Sequence, residues 1–209
     1  VSSEQSKYPL LVHCSLFTWS LVFITMNPLI ILQKYYDPRS RGYQILVEHS
    51  EQVRDMALKI AAAKPELGID QKFIAEAAML HDIGYFLVNL PELDYHGQEV
   101  PLRHGILGRE ILDKEGLPRH ALVAERHTGC GTSKEQIITR HLPLPPRNLI
   151  PQTVEEELIS YCDKFFTKGD LNKINTIDEI VAKLNTHDPS EVDYFFKLQQ
   201  KFNIDKNNN

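Results

Sequence analysis

The chain has 209 residues, 42% apolar and 24% charged, with a formal net charge of -5. This is an ordinary composition for a soluble globular protein with room for a substantial core. The acidic balance, with no Lys/Arg-rich run, argues against a dedicated binder of nucleic-acid polymers.

From Tyr8 to Gln33 there is no Asp, Glu, Lys or Arg. Residues 10–25 are about as apolar as a weak membrane span. Met26 reads as the start of the working chain, with residues 1–25 an extension that carries no function. A membrane anchor, a signal peptide and an extra packed element are the alternatives. Membrane contact is expected only through residues 8–33. Cys14, Cys130 and Cys162 form no CxxC pair and no even framework, which fits a reducing cytoplasm.

Asn27 caps a short helix begun by Pro28 that ends near Asp37-Pro38. Arg41 to Ala63 reads as one long helix, with Ile45, His49, Val53, Met56 and Ile60 along a single stripe. His49 therefore sits on a buried face. Lys64-Pro65 ends that helix and Gly68 makes the turn.

Asp70 caps the next helix, Gln71 to Leu80, and Gly84 is its expected stop. Ile74 and Ala77 share the face of His81, and Ala78 lies four residues before Asp82. Residues 85–100, with Pro91 and Gly97, read as a long loop of the kind that forms lids or binding segments. His96 is expected there in solvent. Pro101 opens a helix whose inner face holds His104, Leu107, Gly108 and Ile111, and Gly116 ends it.

Pro118 starts the following helix, which places His127 inward, four residues after Val123. Ser133 and Gln136, Thr153 and Glu156, and Thr176 and Glu179 have capping-box spacing. Between them, residues 142–151 form a proline-rich loop. The Thr153 helix runs to about Lys168, with Ile159, Asp163 and Phe166 inward. A last helix spans Ser190 to Phe202. A second His-Asp pair, His187-Asp188, reads as a cap and turn. No period-2 pattern of any strength is present. The expected fold class is all-α, with one helical domain over residues 26–204 and a disordered tail at 205–209.

His49, His81, Asp82, His104, His127 and Asp163 thus come from five predicted helices and all face apolar surroundings. Burying them unpaired in one core would exceed the roughly 5–15 kcal/mol by which a typical domain is stable. A shared metal removes most of that cost. Imidazole and carboxylate without thiolate suit Fe, Mn, Co, Ni or Zn, and some Mg. Six ligands fit two ions bridged by a carboxylate better than one ion that must also hold water.

The order His49, His81-Asp82-Ile83-Gly84, Asp163 resembles the HD superfamily of metal-dependent phosphohydrolases over roughly residues 40–168. His104 and His127 resemble the added histidines of its binuclear branch. The segments 125–129 and 161–164 look like that branch too, including small hydrolases of dinucleoside polyphosphates. The resemblance implies a helical fold with the site between the long helices. One divalent transition metal would be held by His49, His81, Asp82 and Asp163. Asp82, the catalytic carboxylate, would bridge to a second metal on His104 and His127, with Fe or Mn favoured.

The implied reaction is hydrolysis of a small, nucleotide-like phosphate ester or anhydride by a metal-activated water. Tyr85 stands where cyclic-dinucleotide-cleaving relatives carry Lys, and there is no Gly-Tyr-Pro element, which argues against that substrate. Arg103, Arg126 and Lys164, each next to a ligand, are the candidate substrate-binding cations. A di-iron oxygenase on the same fold and a non-catalytic regulatory protein are the other readings.

Overall fold

The structure is a computed structural model describing residues 26–204. The expectations for residues 1–25 and for the tail at 205–209 lie outside the described residues. Nine helices run in chain order through that span: α1 Pro28–Leu32, α2 Arg41–Ala63, α3 Gln71–Leu80, α4 His104–Lys114, α5 Pro118–Arg126, α6 Lys134–Thr139, α7 Val154–Asp163, α8 Ile177–His187 and α9 Pro189–Phe202. Two two-residue strands, β1 Asn89–Leu90 and β2 Tyr95–His96, pair antiparallel. The fold is all-α apart from this hairpin. Among the described residues, no helix is long and apolar enough to cross a membrane.

Local chemistry accounts for most of the boundaries. Asp70 caps α3 by accepting from the Phe73 N–H, and full capping boxes start α6 and α8. Asp188 caps α9, accepting from the Ser190 N–H, so the second His-Asp pair is the expected cap. The Thr153–Glu156 box is only half formed. Thr153 accepts from the Glu156 N–H, but the Glu156 side chain is taken by Arg126 and by the Gln152 N–H.

Three other expectations are corrected. The first helix stops at Leu32 instead of reaching residue 36. The helix expected to reach Lys168 stops at Asp163, and a bridge between Phe166 and Ile174 folds the chain back. The segment 85–100 is built rather than open. A 3-10 turn (Ile83–Leu87) leads into the hairpin, and the buried Tyr95 hydroxyl donates to the Gly42 carbonyl at 3.0 Å.

Two apolar clusters make up most of the core. One joins Val53, Ile60, Ile74, Ala77, Ile159 and Phe195. The other joins Leu32, Leu46, Leu80, Ile83, Leu112 and Ala124. Helices α2, α3 and α5 contribute to both, so His49 lies on α2 between Leu46 of one cluster and Val53 of the other. His81 and Asp82 follow α3 at the same junction. The polar groups therefore gather along the seam between two apolar bodies that α2, α3 and α5 cross.

Candidate metal centre

Helix α3 ends at Leu80, and His81 is its C-cap in helical conformation. Asp82 has already left the helix, at φ -104° and ψ 10°, so the turn and not the α3 face aims its carboxylate. Gly84 does not terminate the helix by a positive φ. It is required by close approach instead: a Cβ there would lie 2.1 Å from the His104 carbonyl oxygen and 2.6 Å from the Gly108 nitrogen. Its missing side chain lets the N-terminus of α4 lie against the turn. Gly105 does the same on the other side of α4, where a Cβ would meet the Ala124 carbonyl oxygen at 2.6 Å. These contacts draw α4 and α5, with His104 and His127, onto Asp82.

The Asp82 carboxylate has two different sides. Its Oδ2 lies 3.0 Å from His81 Nε2 and 3.3 Å from His49 Nε2. Its Oδ1 lies 3.2 Å from His127 Nε2 and 3.3 Å from His104 Nε2. Asp163 closes the first group, its Oδ1 at 3.0 Å from His49 Nε2 and 3.6 Å from His81 Nε2. Two clusters result, one of His49, His81, Asp82 and Asp163, the other of Asp82, His104 and His127, each with its donor atoms within 4.8 Å of one another. All six residues expected to be ligands are brought together, with the single carboxylate Asp82 shared.

Three of the rings are held in one tautomer by the same device. The Nδ1 of His81, His104 and His127 faces the carbonyl three residues earlier, Ala78, Pro101 and Ala124, at 2.6, 2.7 and 2.8 Å. A carbonyl only accepts, so Nδ1 carries the proton and Nε2 presents a lone pair to the centre. His81 Nε2 and both Asp82 oxygens are buried without a hydrogen-bond partner. Apart from the Lys168 ammonium at Asp82 Oδ2, no donor faces these lone pairs among the described residues; they fit a cation, and nitrogen with oxygen and no sulfur fits a divalent metal.

The two carboxylates make the centre a negative site that favours positive charge, whether as a proton on His81 or as a cation among the ligands. Burial opposes charge on Asp82, yet His81 and Lys168 hold its carboxyl well below the usual range. Burial pulls His81 down, but Asp82 and Asp163 overcome it and raise the imidazole to about 9. Burial dominates at His127 and lowers it to about 4.

Asp82, His104, His127 and Asp163 of the centre line a cavity of about 560 Å³. Lys164 lines it and donates to Asp163 Oδ2 at 2.8 Å. Arg103 and Arg126, expected beside the substrate, point elsewhere. Arg103 pairs with Glu99 at 3.2 Å and borders a separate cleft with Ile106 and Pro143. Arg126 donates to both Glu156 oxygens, at 3.0 and 2.9 Å, and braces α5 against α7.

The cation that sequence reading missed is Lys168. Its ammonium pairs with Asp82 Oδ2 and sits 4.6 Å from the Tyr85 ring centroid. Tyr85 in turn stacks on His104, with centroids 4.3 Å apart. A lysine in a segment read as a helix tail gave no signal for this; only the early end of α7 returns it to the site.

The family described as HD domain matches residues 46–167. An uncharacterized protein of Methanocaldococcus jannaschii, MJ0778, is 34% identical over 66% of this chain and 74% of its own length. Two proteins named tRNA (cytidine(56)-2'-O)-methyltransferase, from Picrophilus torridus and Thermoplasma volcanium, are each 28% identical over 69% and 70% of this chain. The chain spans only 38% and 39% of their lengths. No solved structure matches at a significant level. The match over more than half of the chain, on the residues that build the buried His/Asp centre, places this chain in the HD domain family.

Proposed function

We propose that the chain is a metal-dependent phosphohydrolase acting on a small phosphate ester or anhydride, nucleotide-like in character. The observation that carries this reading is the two-sided Asp82 carboxylate, each oxygen facing its own set of imidazoles in the wall of a cavity that Lys164 and Lys168 also line. Iron or manganese is compatible with this set of imidazoles and carboxylates and is the metal expected. A divalent metal held by His49, His81, Asp82 and Asp163, with a second on His104 and His127, would supply an activated water for attack on phosphorus near neutral pH.

The protein's own groups do the rest. The carbonyl-anchored histidines keep Nε2 directed at the centre without reorganisation. Asp82 ties the two ligand sets to one carboxylate, so neither can shift without the other. Lys164 and Lys168 bring positive charge to the phosphoryl oxygens as charge builds on them. The apolar walls, among them Leu102, Leu142 and Phe166, accept the organic part of the substrate. Methyl transfer is named for relatives that extend far beyond the region matched here, and it is not carried over to this chain.

The test is hydrolysis of a panel of nucleotides and phosphate esters by chain purified without chelator, with elemental analysis of the same sample. Turnover that needs the metal and vanishes in Asp82→Ala is the expected result. Bound iron with oxygen-dependent turnover and no phosphate release would overturn it in favour of an oxygenase. Metal uptake with no turnover of either kind would overturn it in favour of a regulatory protein.

A further inference from the structure

Of the three carbonyl-anchored rings, His104 has the least support from its own anchor. Ala78 and Ala124, which anchor His81 and His127, lie inside α3 and α5. Pro101, which anchors His104, lies in the 3-10 turn Pro101–Arg103 ahead of α4, and His104 is the first residue of that helix. It is also the least buried of the three. A single hydrogen bond at Nδ1 fixes the tautomer of an imidazole but not the plane of its ring.

The second restraint is Tyr85. Its ring stacks on His104, with centroids 4.3 Å apart and planes 29° from parallel. Two contacts place that ring. The turn that aims Asp82 also sets Tyr85, whose N–H donates to the Asp82 carbonyl at 3.0 Å. The buried Tyr95 of the hairpin packs against it with centroids 5.3 Å apart, and the Tyr95 hydroxyl is tied to the Gly42 carbonyl of α2. The hairpin is thus a buttress that links α2 through Tyr95 and Tyr85 to His104. The Tyr85 hydroxyl makes no hydrogen bond among the described residues, so the contact is made by the ring.

We propose that Tyr85 is a positioning residue for the second metal. Its ring holds the plane of His104, so that Nε2 stays directed beside Asp82 Oδ1, 3.3 Å away. This inference rests on the two-metal centre of the reading above and not on its substrate. Lys168 also touches the Tyr85 ring, but it pairs with the other oxygen, Oδ2, on the side of the first cluster. An effect of Tyr85 through Lys168 would reach the first metal, whereas an effect through His104 reaches the second.

Metal binding reads this without turnover. The full chain, freed of metal, is titrated with Co2+ and followed by calorimetry and by the d–d absorption of the bound ion, beside a thermal melt of each variant. Wild type is expected to take up two equivalents. Tyr85→Leu should weaken the second by about tenfold to a hundredfold and leave the first unchanged. Tyr85→Phe, which keeps the ring, should bind both as wild type does. Unchanged affinities in Tyr85→Leu overturn the proposal, and so does equal weakening of both equivalents, which marks general packing or Lys168. Loss of the second equivalent in Tyr85→Phe overturns it by assigning the hydroxyl, and this arm holds even if Tyr85→Leu fails to fold. A wild type that takes up one equivalent overturns the second site and the role of Tyr85 together, and leaves the phosphohydrolase reading to phosphate release.

Discussion

The Nε2 atoms of His104 and His127 face one another at 3.0 Å, and each ring has its Nδ1 against a backbone carbonyl, Pro101 for one and Ala124 for the other. Both protons are thereby committed outward. Two nitrogen lone pairs then converge beside a carboxylate oxygen with no hydrogen between them. That geometry is unfavourable unless a cation sits among the three atoms. The pair is thus more than two core histidines, and its chemistry is distinct from that of the His49, His81 and Asp163 group on the other side of Asp82.

Metal stoichiometry follows from this division. Two equivalents per chain are expected by elemental analysis. His104→Ala or His127→Ala should leave one, because the four-residue group with Asp82 is intact. Asp82→Ala should lose both, since among the described residues it is the one that the two clusters share. One equivalent in the wild type would assign His104 and His127 to another role.

Gly84→Ala tests the packing that builds the second cluster. The new methyl would meet the His104 carbonyl at 2.1 Å, and backbone cannot step aside as a flexible side chain can. We expect a loss of about 2–3 kcal/mol, seen as a fall in Tm of roughly 5–10 °C. The half of the bound metal that depends on α4 should be lost with it. A Tm within a degree of wild type would show that α4 need not lie so close.

His120 supplies a pH dependence separate from the centre. Its ring packs edge-on to Phe73, with centroids 4.8 Å apart. Glu76 Oε2 lies 3.5 Å from its Nε2, but burial and then the Arg119 charge prevail and lower its pKa to about 4. The unfolded chain takes up this proton near the ordinary value of about 6.5. Stability from this residue is therefore complete above about pH 6.5 and lost as pH falls toward 4, by at most about 3 kcal/mol. Denaturant titrations at pH 7 and pH 4.5 should show a smaller drop for His120→Leu than for wild type. Equal drops would mean that Glu76 sustains the charged ring after all.

Most of the candidate ligands were legible because they broke a helical stripe, although Asp82 is aimed by the turn after α3 and not by a helix face. His49 between Ile45 and Val53, or Asp163 after Ile159, is a titratable group where the 3.6-residue period demands an apolar one. That signal is local and survives without knowledge of how helices pack. The motif glycine was legible by position but not by cause, since its role depends on the distance to α4. Of the three cations expected beside the site, only Lys164 lines the cavity. Adjacency to a ligand turns a residue about 100° around a helix, and Arg103 and Arg126 were carried to Glu99 and Glu156. Lys168 reaches the centre only because the chain leaves α7 at Asp163, and a helix end set by tertiary contacts has no dependable mark in sequence.

Arg126 and Lys168 should accordingly fail in different ways when truncated. Arg126→Ala removes the counter-charge of Glu156, whose side chain is 4% exposed, and leaves a buried carboxylate with only the Gln152 N–H. A loss of about 3 kcal/mol is expected, read as an earlier denaturation midpoint. Lys168 holds no helix together; its ammonium touches Asp82 and the Tyr85 face. Lys168→Ala should cost under about 1 kcal/mol of stability but lower turnover of a phosphate substrate by on the order of tenfold to a hundredfold. Lys168→Arg should recover part of that rate, because the positive charge is retained even though a planar guanidinium suits the Tyr85 face differently. If Lys168→Ala instead unfolds the chain and spares the rate of what remains folded, its ammonium is a structural counter-ion to Asp82 and the cavity's positive charge rests on Lys164.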